Sequence, residues 1–213
     1  MTWIHWHLTV SVIPSFASGW LIPRLGAFYR QYPELTVRLQ TSSELDAFAE
    51  GGVDLCIRFG GARYEGLRSD WFMDDWIYPV CHPQHPSISA LKESKDLEFC
   101  QLLVDSDSDV TWDQWFRSEG LTIDCPRYFT AYDASHYLVE GVLAGQGVGL
   151  LRHSLVAELV TNGSIVRLFG RVLKLNYRYF FCAPAHHFQC NKVQVFVSWL
   201  KMAIDEFNRK NSL

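Results

Sequence analysis

The chain has 213 residues, 48% hydrophobic and 20% charged, with a formal net charge of -4. That length can bury one sizeable core or two smaller ones. The mild acidity excludes the basic stripe that neutralises nucleic-acid phosphates, so these residues are not expected to bind DNA by themselves. No apolar run is long enough to cross a bilayer, and MTWIHWHLTV has no basic n-region followed by an apolar stretch, which argues against membrane spanning and export. The six cysteines, Cys56, Cys81, Cys100, Cys125, Cys182 and Cys190, form no Cys-x-x-Cys pair and sit mostly in apolar runs such as DLCIRF and YFFCAP. They read as reduced thiols of a cytoplasmic protein rather than a disulfide framework.

In chain order, LTVSVI (8–13) predicts a strand that ends at Pro14-Ser15, followed by a helix over 16–32. The same unit repeats as strand LTVRLQ (35–40), Thr41-Ser42 and a helix over 44–52. Two strand-then-helix units in succession predict parallel strands, whose carboxyl ends share an edge with the amino ends of the helices. Outward-pointing helix N–H groups, the helix dipole and the hydroxyls of Ser15 and Ser42 would make that edge a site for a small anion. Ser15 viewed alone fits a helix cap equally well, and the repeat at Thr41-Ser42 favours ligand contact. VDLCIRFG (53–60) then reads as a buried strand, GARYEG as a loop, and RSDWFM and WIYPVC as a strand pair.

A polar passage from His82 to Glu98 opens a second lobe. It is predicted to hold strand 101–105, helix 111–120, strand 127–131, helix 134–145, strand 148–151, helix 154–163 and strand 164–169. Strand 175–184 leads to a last helix over 191–210, capped by Asn191. Val193, Phe196, Trp199, Leu200, Ala203, Ile204 and Phe207 fall on one face of it, which the first lobe should cover.

Sharper motifs fail on their mechanics. Asp105 to Asp109 (DSDSD) imitates a calcium loop, but Val110 stands where glycine is needed and Phe116 where a bidentate glutamate is needed. The run reads instead as a strand end followed by a helix capped by Ser108 or Asp109 and ended by Gly120. Gly145-x-Gly147-x-Gly149 lies between helix and strand in the wrong order for a dinucleotide loop and fits a helix C-cap with a tight turn. No histidines stand at i, i+4 spacing, and no serine lies in a G-x-S-x-G context. No metal, cofactor or catalytic residue is therefore expected.

The ordered set of landmarks resembles the effector-binding domain of LysR-type transcriptional regulators. It comprises Leu8 to Ala17 (LTVSVIPSFA), Trp20 to Leu25 (WLIPRL), Tyr32 to Leu39 (YPELTVRL), Gly52 to Gly60 (GVDLCIRFG), Tyr78 to Cys81 (YPVC), Trp112 to Phe116 (WDQWF), Gly145 to Leu151 (GQGVGLL) and Val195 to Leu200 (VFVSWL). The resemblance spans residues 8 to 207 and implies a type 2 periplasmic-binding-protein fold. Its two α/β lobes would each hold a mixed, mostly parallel sheet flanked by helices, with two crossing strands and an effector cleft at their junction. The expected division is 1–7 as a residual linker, 8–79 plus 184–213 as the first lobe and 80–183 as the second.

By the same resemblance the ligand contacts are Ser15 and Phe16, Thr41 and Ser42, and Phe59 and Gly60 in the first lobe. In the second they are Tyr132 and Asp133, with Gly147 and Val148 nearby. Hydroxyls and helix ends suit a carboxylate, and Phe16, Phe59 and Tyr132 suit an apolar body. Asp133 would cap its helix or meet an amine, so amino-acid-like effectors also fit. The resemblance further implies a homodimer through the helix over 16–31, with Trp20, Leu21 or Tyr29 exposed, and DNA binding only through a winged helix-turn-helix that these residues lack. A solute-binding protein and a small-acid enzyme on the same fold are the competing expectations.

Overall fold

A computed structural model describes residues 6–42, 48, 52–61, 64–106, 108, 110–123 and 128–211. The chain divides into one unit of Met1–Asp74 with Asn176–Ser212 and another of Asp75–Leu175. These boundaries fall earlier than the expected breaks after residues 79 and 183, because the division lies inside the two long strands that pass from one unit to the other.

In the first unit, β1 (Trp6–Val12) lies parallel to β2 (Leu35–Thr41) and to β3 (Leu55–Gly60). Leu8, Val10 and Val12 are fully buried, as a central parallel strand covered on both faces requires. The unit-1 part of β9 (Leu173–Ala183) pairs antiparallel with β3, Cys56 opposite Cys182. The expected helix over 16–32 is a helical run in three parts: α1 (Pro14–Phe16), a π-helical turn (Ala17–Leu21) and α2 (Ile22–Gln31). Pro23 explains the widening. It has no N–H to donate, and its ring crowds the carbonyl one turn back, so the Ile22 N–H reaches Ala17 instead. The expected helix over 44–52 lies largely outside the described residues.

The last helix, α6 (Asn191–Lys210), buries Val193, Phe196, Trp199, Leu200, Ile204 and Phe207, the face that its spacing predicts. Phe28 of α2 meets Trp199 at 4.9 Å and Phe196 at 5.6 Å, and Trp20 meets Phe207 at 6.0 Å. Trp20, which meets Phe207 of α6, and Leu21 are both fully buried core residues and not exposed as expected, and Tyr29 remains 40% exposed. Asn191 does not cap α6. It is the first helical residue, with Cys190 at the cap making no side-chain bond. The helix entrance is instead tied down by Lys192, whose ammonium lies 2.7 Å from Asp54 and also donates to the His7 carbonyl.

The expected strand pair over 68–81 is one strand, β4 (Arg68–Cys81). The Asp74-Asp75 step reads as a polar break, yet each carboxylate has partners: Arg178 stands 3.0 Å from Asp74, and Ser154 donates to Asp75. In the second unit β5 (Gln101–Asp105) is parallel to β6 (Tyr128–Tyr132) and to β7 (Val148–Arg152), while β4 runs antiparallel to β7 and to the short β8 (Val166–Arg167). The helices are α3 (Trp112–Ser118), α4 (Ser135–Leu143) and α5 (His153–Thr161). Thr111, not Ser108, caps α3, in a reciprocal box with Gln114, and the other expected cap, Asp109, lies outside the described residues. The Ser108 hydroxyl is used locally, accepting from the Val110 N–H. Gly145 takes φ +72 just past α4, the left-handed C-terminal position that glycine fills without strain. Among the described residues no helix is long and apolar enough to cross a membrane.

Phe28 is fully buried and meets four aromatic rings, Tyr29 of α2, Tyr32 at its C-terminal end, and Phe196 and Trp199 of α6. Phe28→Ala is expected to lower unfolding stability by about 3–5 kcal/mol through lost transfer energy and a residual cavity. Urea denaturation of both proteins measures it.

Candidate functional site

The parallel register of the first unit settles which residues share an edge. Val12 stands opposite Thr41 on one side and Ile57 on the other, and the Ser42 N–H donates to the Val12 carbonyl at 3.2 Å. The ends of β1, β2 and β3 therefore bring Ser15, Thr41, Ser42, Phe59 and Gly60 to one edge of one sheet. Ile13 is extended at the helix entrance and makes no side-chain cap bond. Ser15 itself is only 7% exposed.

The Phe16 ring is fully buried, stacked on Trp20 at 5.1 Å and against Tyr179 at 4.6 Å, so that side chain packs in the core of the first unit. The aromatic character at this edge comes from half-buried Phe59, which meets Tyr179 at 4.8 Å and Tyr177 at 6.1 Å. Tyr177 and Tyr179 were not anticipated. Their signal was the aromatic alternation in LNYRYFFCAP, legible only once β9 is known to lie beside β3. A Cβ at Gly60 would stand 3.3 Å from the Tyr64 hydroxyl, which leaves that position little room for a side chain.

In the second unit the ends of β5, β6 and β7 form a corresponding edge. Asp105 lies opposite Tyr132, and the Ser106 N–H donates to the Tyr132 carbonyl at 2.8 Å. Ser135, the first residue of α4, donates from its hydroxyl to Asp105 at 2.5 Å and accepts from the Arg152 guanidinium at 3.1 Å. Sequence reasoning missed this Asp105, Ser135 and Arg152 set. The available signal was a charged residue closing an apolar strand just ahead of a helix, at VGLLRHS. Asp133 is exposed on this edge and does not cap α4, whose cap position is Ala134 with no side-chain bond. The Tyr132 phenol turns along α4 to donate to Gln146, and a Cβ at Gly141 would meet its hydroxyl at 2.6 Å.

Gly147 and Val148 lie at the other end. Val148 pairs with Leu102, so both residues enter β7 at the edge opposite Asp105, Ser135 and Arg152. Val148 is fully buried, and a Cβ at Gly147 would strike the Gln101 carbonyl. Their role is close packing, since a parallel strand returns its amino end to the side from which its neighbour started.

The helix N-terminus of α5 carries its own anion. Asp75, 1% exposed, accepts from the Ser154 N–H at 3.1 Å, from its hydroxyl at 2.6 Å and from the Trp76 N–H at 2.9 Å. Burial raises its pKa above the ordinary 3.8, opposed by the Arg152 charge and these donors. Beside it the Tyr78 hydroxyl and His153 Nδ1 share a 2.9 Å hydrogen bond, and burial raises the phenol. Among the described residues no group of three His, Cys, Asp or Glu side chains could hold a metal ion.

Strand ends, helix entrances and hydroxyls share one edge within each unit, in the α/β arrangement of the type 2 periplasmic-binding fold. Residues 5–205 match the LysR substrate binding domain family, and the chain belongs to it. It is 29% identical over 194 residues to the glycine cleavage system transcriptional activator of Escherichia coli (strain K12), covering 91% of this chain and 63% of that protein. It is 31% identical over 164 residues to the transcriptional activator AmpR of Pseudomonas aeruginosa, covering 76% and 54%. Among solved structures, the AmpR effector binding domain from Citrobacter freundii superposes with a TM-score of 0.80 at 25% identity, covering 94% of this chain and 99% of that one. The chain thus spans less than two thirds of the length of these curated relatives, which are transcriptional regulators.

Asp75 supplies a stability test with a defined sign. A folded state that holds the proton more tightly than the unfolded chain gains stability below the usual carboxylate range and loses it as pH rises through the raised value. Asp75→Asn removes that titration. Unfolding free energies of both proteins across about pH 4 to 8 should shift in the variant's favour as pH rises, and parallel curves would refute it.

Proposed function

We propose that this chain is the effector-sensing part of a LysR-type transcriptional regulator and binds a small carboxylate or amino-acid-like metabolite. The observation that carries the reading is the convergence of Ser15 with Thr41 and Ser42 on the edge where β1, β2 and β3 end. Hydroxyl donors and a helix entrance there match a carboxylate, and Phe59 and Gly60 supply an apolar wall with little bulk. Phe16 contributes to this reading through its place in the first helical turn, not through its ring. In the second unit, Arg152 and Asp105, bridged by Ser135, offer opposite charges at a helix entrance, and exposed Asp133 suits an amine; the two features support a zwitterionic ligand. Tyr132 orients that edge through Gln146. DNA would be read by a winged helix-turn-helix of the parent protein outside these residues, in the cytoplasm, with no catalytic step.

A thermal-shift screen of carboxylates and amino acids should return a ligand, since saturation at a hundred times the dissociation constant adds about 2.7 kcal/mol. With that ligand, Ser15→Ala should bind about tenfold or more weakly in titration calorimetry, the worth of one charge-assisted hydrogen bond. If Ser15 were only a helix cap, the variant would lose about 1 kcal/mol of stability and keep its affinity.

The regulator is further proposed to work as a homodimer through α2, where Ile22 is 53% and Tyr29 40% exposed. Sedimentation should give about twice 24.5 kDa. Ile22→Glu should shift the protein to the monomer, and an unchanged dimer would place the interface elsewhere.

A further inference from the structure

The aromatic packing of the first unit does not stop at the surface. Phe72 stacks on Phe181 at 4.1 Å and meets Tyr179 at 6.1 Å, Tyr179 meets Phe59 at 4.8 Å, and Phe59 meets Tyr177 at 6.1 Å. Phe181 and Tyr179 are fully buried, Phe59 is half-buried and Tyr177 is 39% exposed. The row climbs out of the core and ends in an open ring. Register fixes where it emerges: Phe59 pairs with Tyr179, and Tyr177, two residues away along β9, lies on the same face just past it. That is the edge on which Ser15, Thr41 and Ser42 converge.

The end of the row has a shape of its own. Phe59 and Tyr177 stand nearly perpendicular, with 79° between their planes. Such a pair leaves a corner that a third flat ring fills by lying parallel to one wall and edge-on to the other, the two arrangements that aromatic quadrupoles favour. Glycine beside the ring preserves it. A Cβ at Gly61 would stand 3.0 Å from Tyr177 Cε1 and 3.1 Å from its Cδ1, too close for the ring to keep its place. Gly61 is not in the left-handed region, so what glycine provides here is room for the ring. Arg178, the next residue of β9, faces the other side of the sheet, pairs with Asp74 at 3.0 Å and lies over Trp71. It adds no charge to the corner.

Resting on the reading of this edge as the effector site, we propose that the effector carries a planar, π-bonded ring beside its carboxylate, and that Tyr177, with Phe59, is the residue that selects it. This differs from a plain apolar wall. A saturated ring of the same size buries similar area against Tyr177, yet it has no flat face to lay on that ring and no polarised edge to offer Phe59. Aromatic pairing is worth about fivefold in affinity beyond the area buried. The rings supply it, and the Tyr177 hydroxyl is not required.

The test titrates the 213-residue chain with benzoate and with cyclohexanecarboxylate, which share a carboxylate and a ring size and differ in planarity and π-electrons. Ligand-observed NMR reads both affinities. Wild type should bind benzoate about fivefold more tightly. Tyr177→Leu should erase the preference, Tyr177→Phe should keep it, and Gly61→Ala, which pushes the ring aside, should reduce it, with folding checked by circular dichroism. Ser15→Ala separates this inference from the reading beneath it: both acids should weaken alike while their ratio stays. Failure of wild type to bind benzoate, equal affinities for the two acids, a preference that survives Tyr177→Leu, or tighter binding of 4-aminobutanoate, which would place an amine over the ring, would each overturn the planar ring. If Ser15→Ala still weakens both acids in that case, the effector edge stands without it. A preference lost in Tyr177→Leu with affinities unchanged in Ser15→Ala would uphold the corner and remove Ser15 from the site.

Discussion

Two strands that run parallel and follow one another need a crossover between them, and the crossover helix has to start where the first strand ends. In each unit of this chain that constraint gathers strand carboxyl ends and helix amino ends on a single edge. β1, β2 and β3 meet it in the first unit and β5, β6 and β7 in the second. The polar groups of the molecule follow from it. Hydroxyls at positions 15, 42 and 135 stand at strand ends or helix entrances because outward-pointing N–H groups there favour oxygen partners.

The two units treat their helix entrances differently. At α5 the chain supplies its own anion, Asp75, brought from β4 and enclosed by Ser154 and Trp76 donors. That entrance is satisfied internally and buried. At α4 the first residue, Ser135, links an acid to a guanidinium at partly exposed positions. The hydrogen bonds of Arg58 to Ser11 tie β3 to β1 beneath the polar edge.

Aromatic packing fixes the first unit around these strands. The rings of Phe16, Trp20, Phe28, Tyr179, Phe196, Trp199 and Phe207 connect the helical run after β1 to α6 and β9. Along this run, with its π-helical turn at Ala17–Leu21, Phe16 and Trp20 stack inward while Ile22 and Tyr29 face solvent. That turn arises from a single proline.

Local pattern in the sequence determined the strand-helix order, the parallel repeat at its start, the limits of β5 and α6, and the convergence of Ser15 with Thr41 and Ser42. Each follows from the spacing of apolar residues and from the punctuation between elements, which act over a few neighbours. It also carried enough ordered landmarks to point to the family. Only the tertiary structure decided that Phe16 is core, that Gly147 and Val148 sit at the far edge, that 68–81 is one strand, and that Asp105, Ser135 and Arg152 belong together. These depend on register and on partners remote in sequence. A charge such as Asp75 looks like a break in a strand until Ser154, far along the chain, is seen to enclose it.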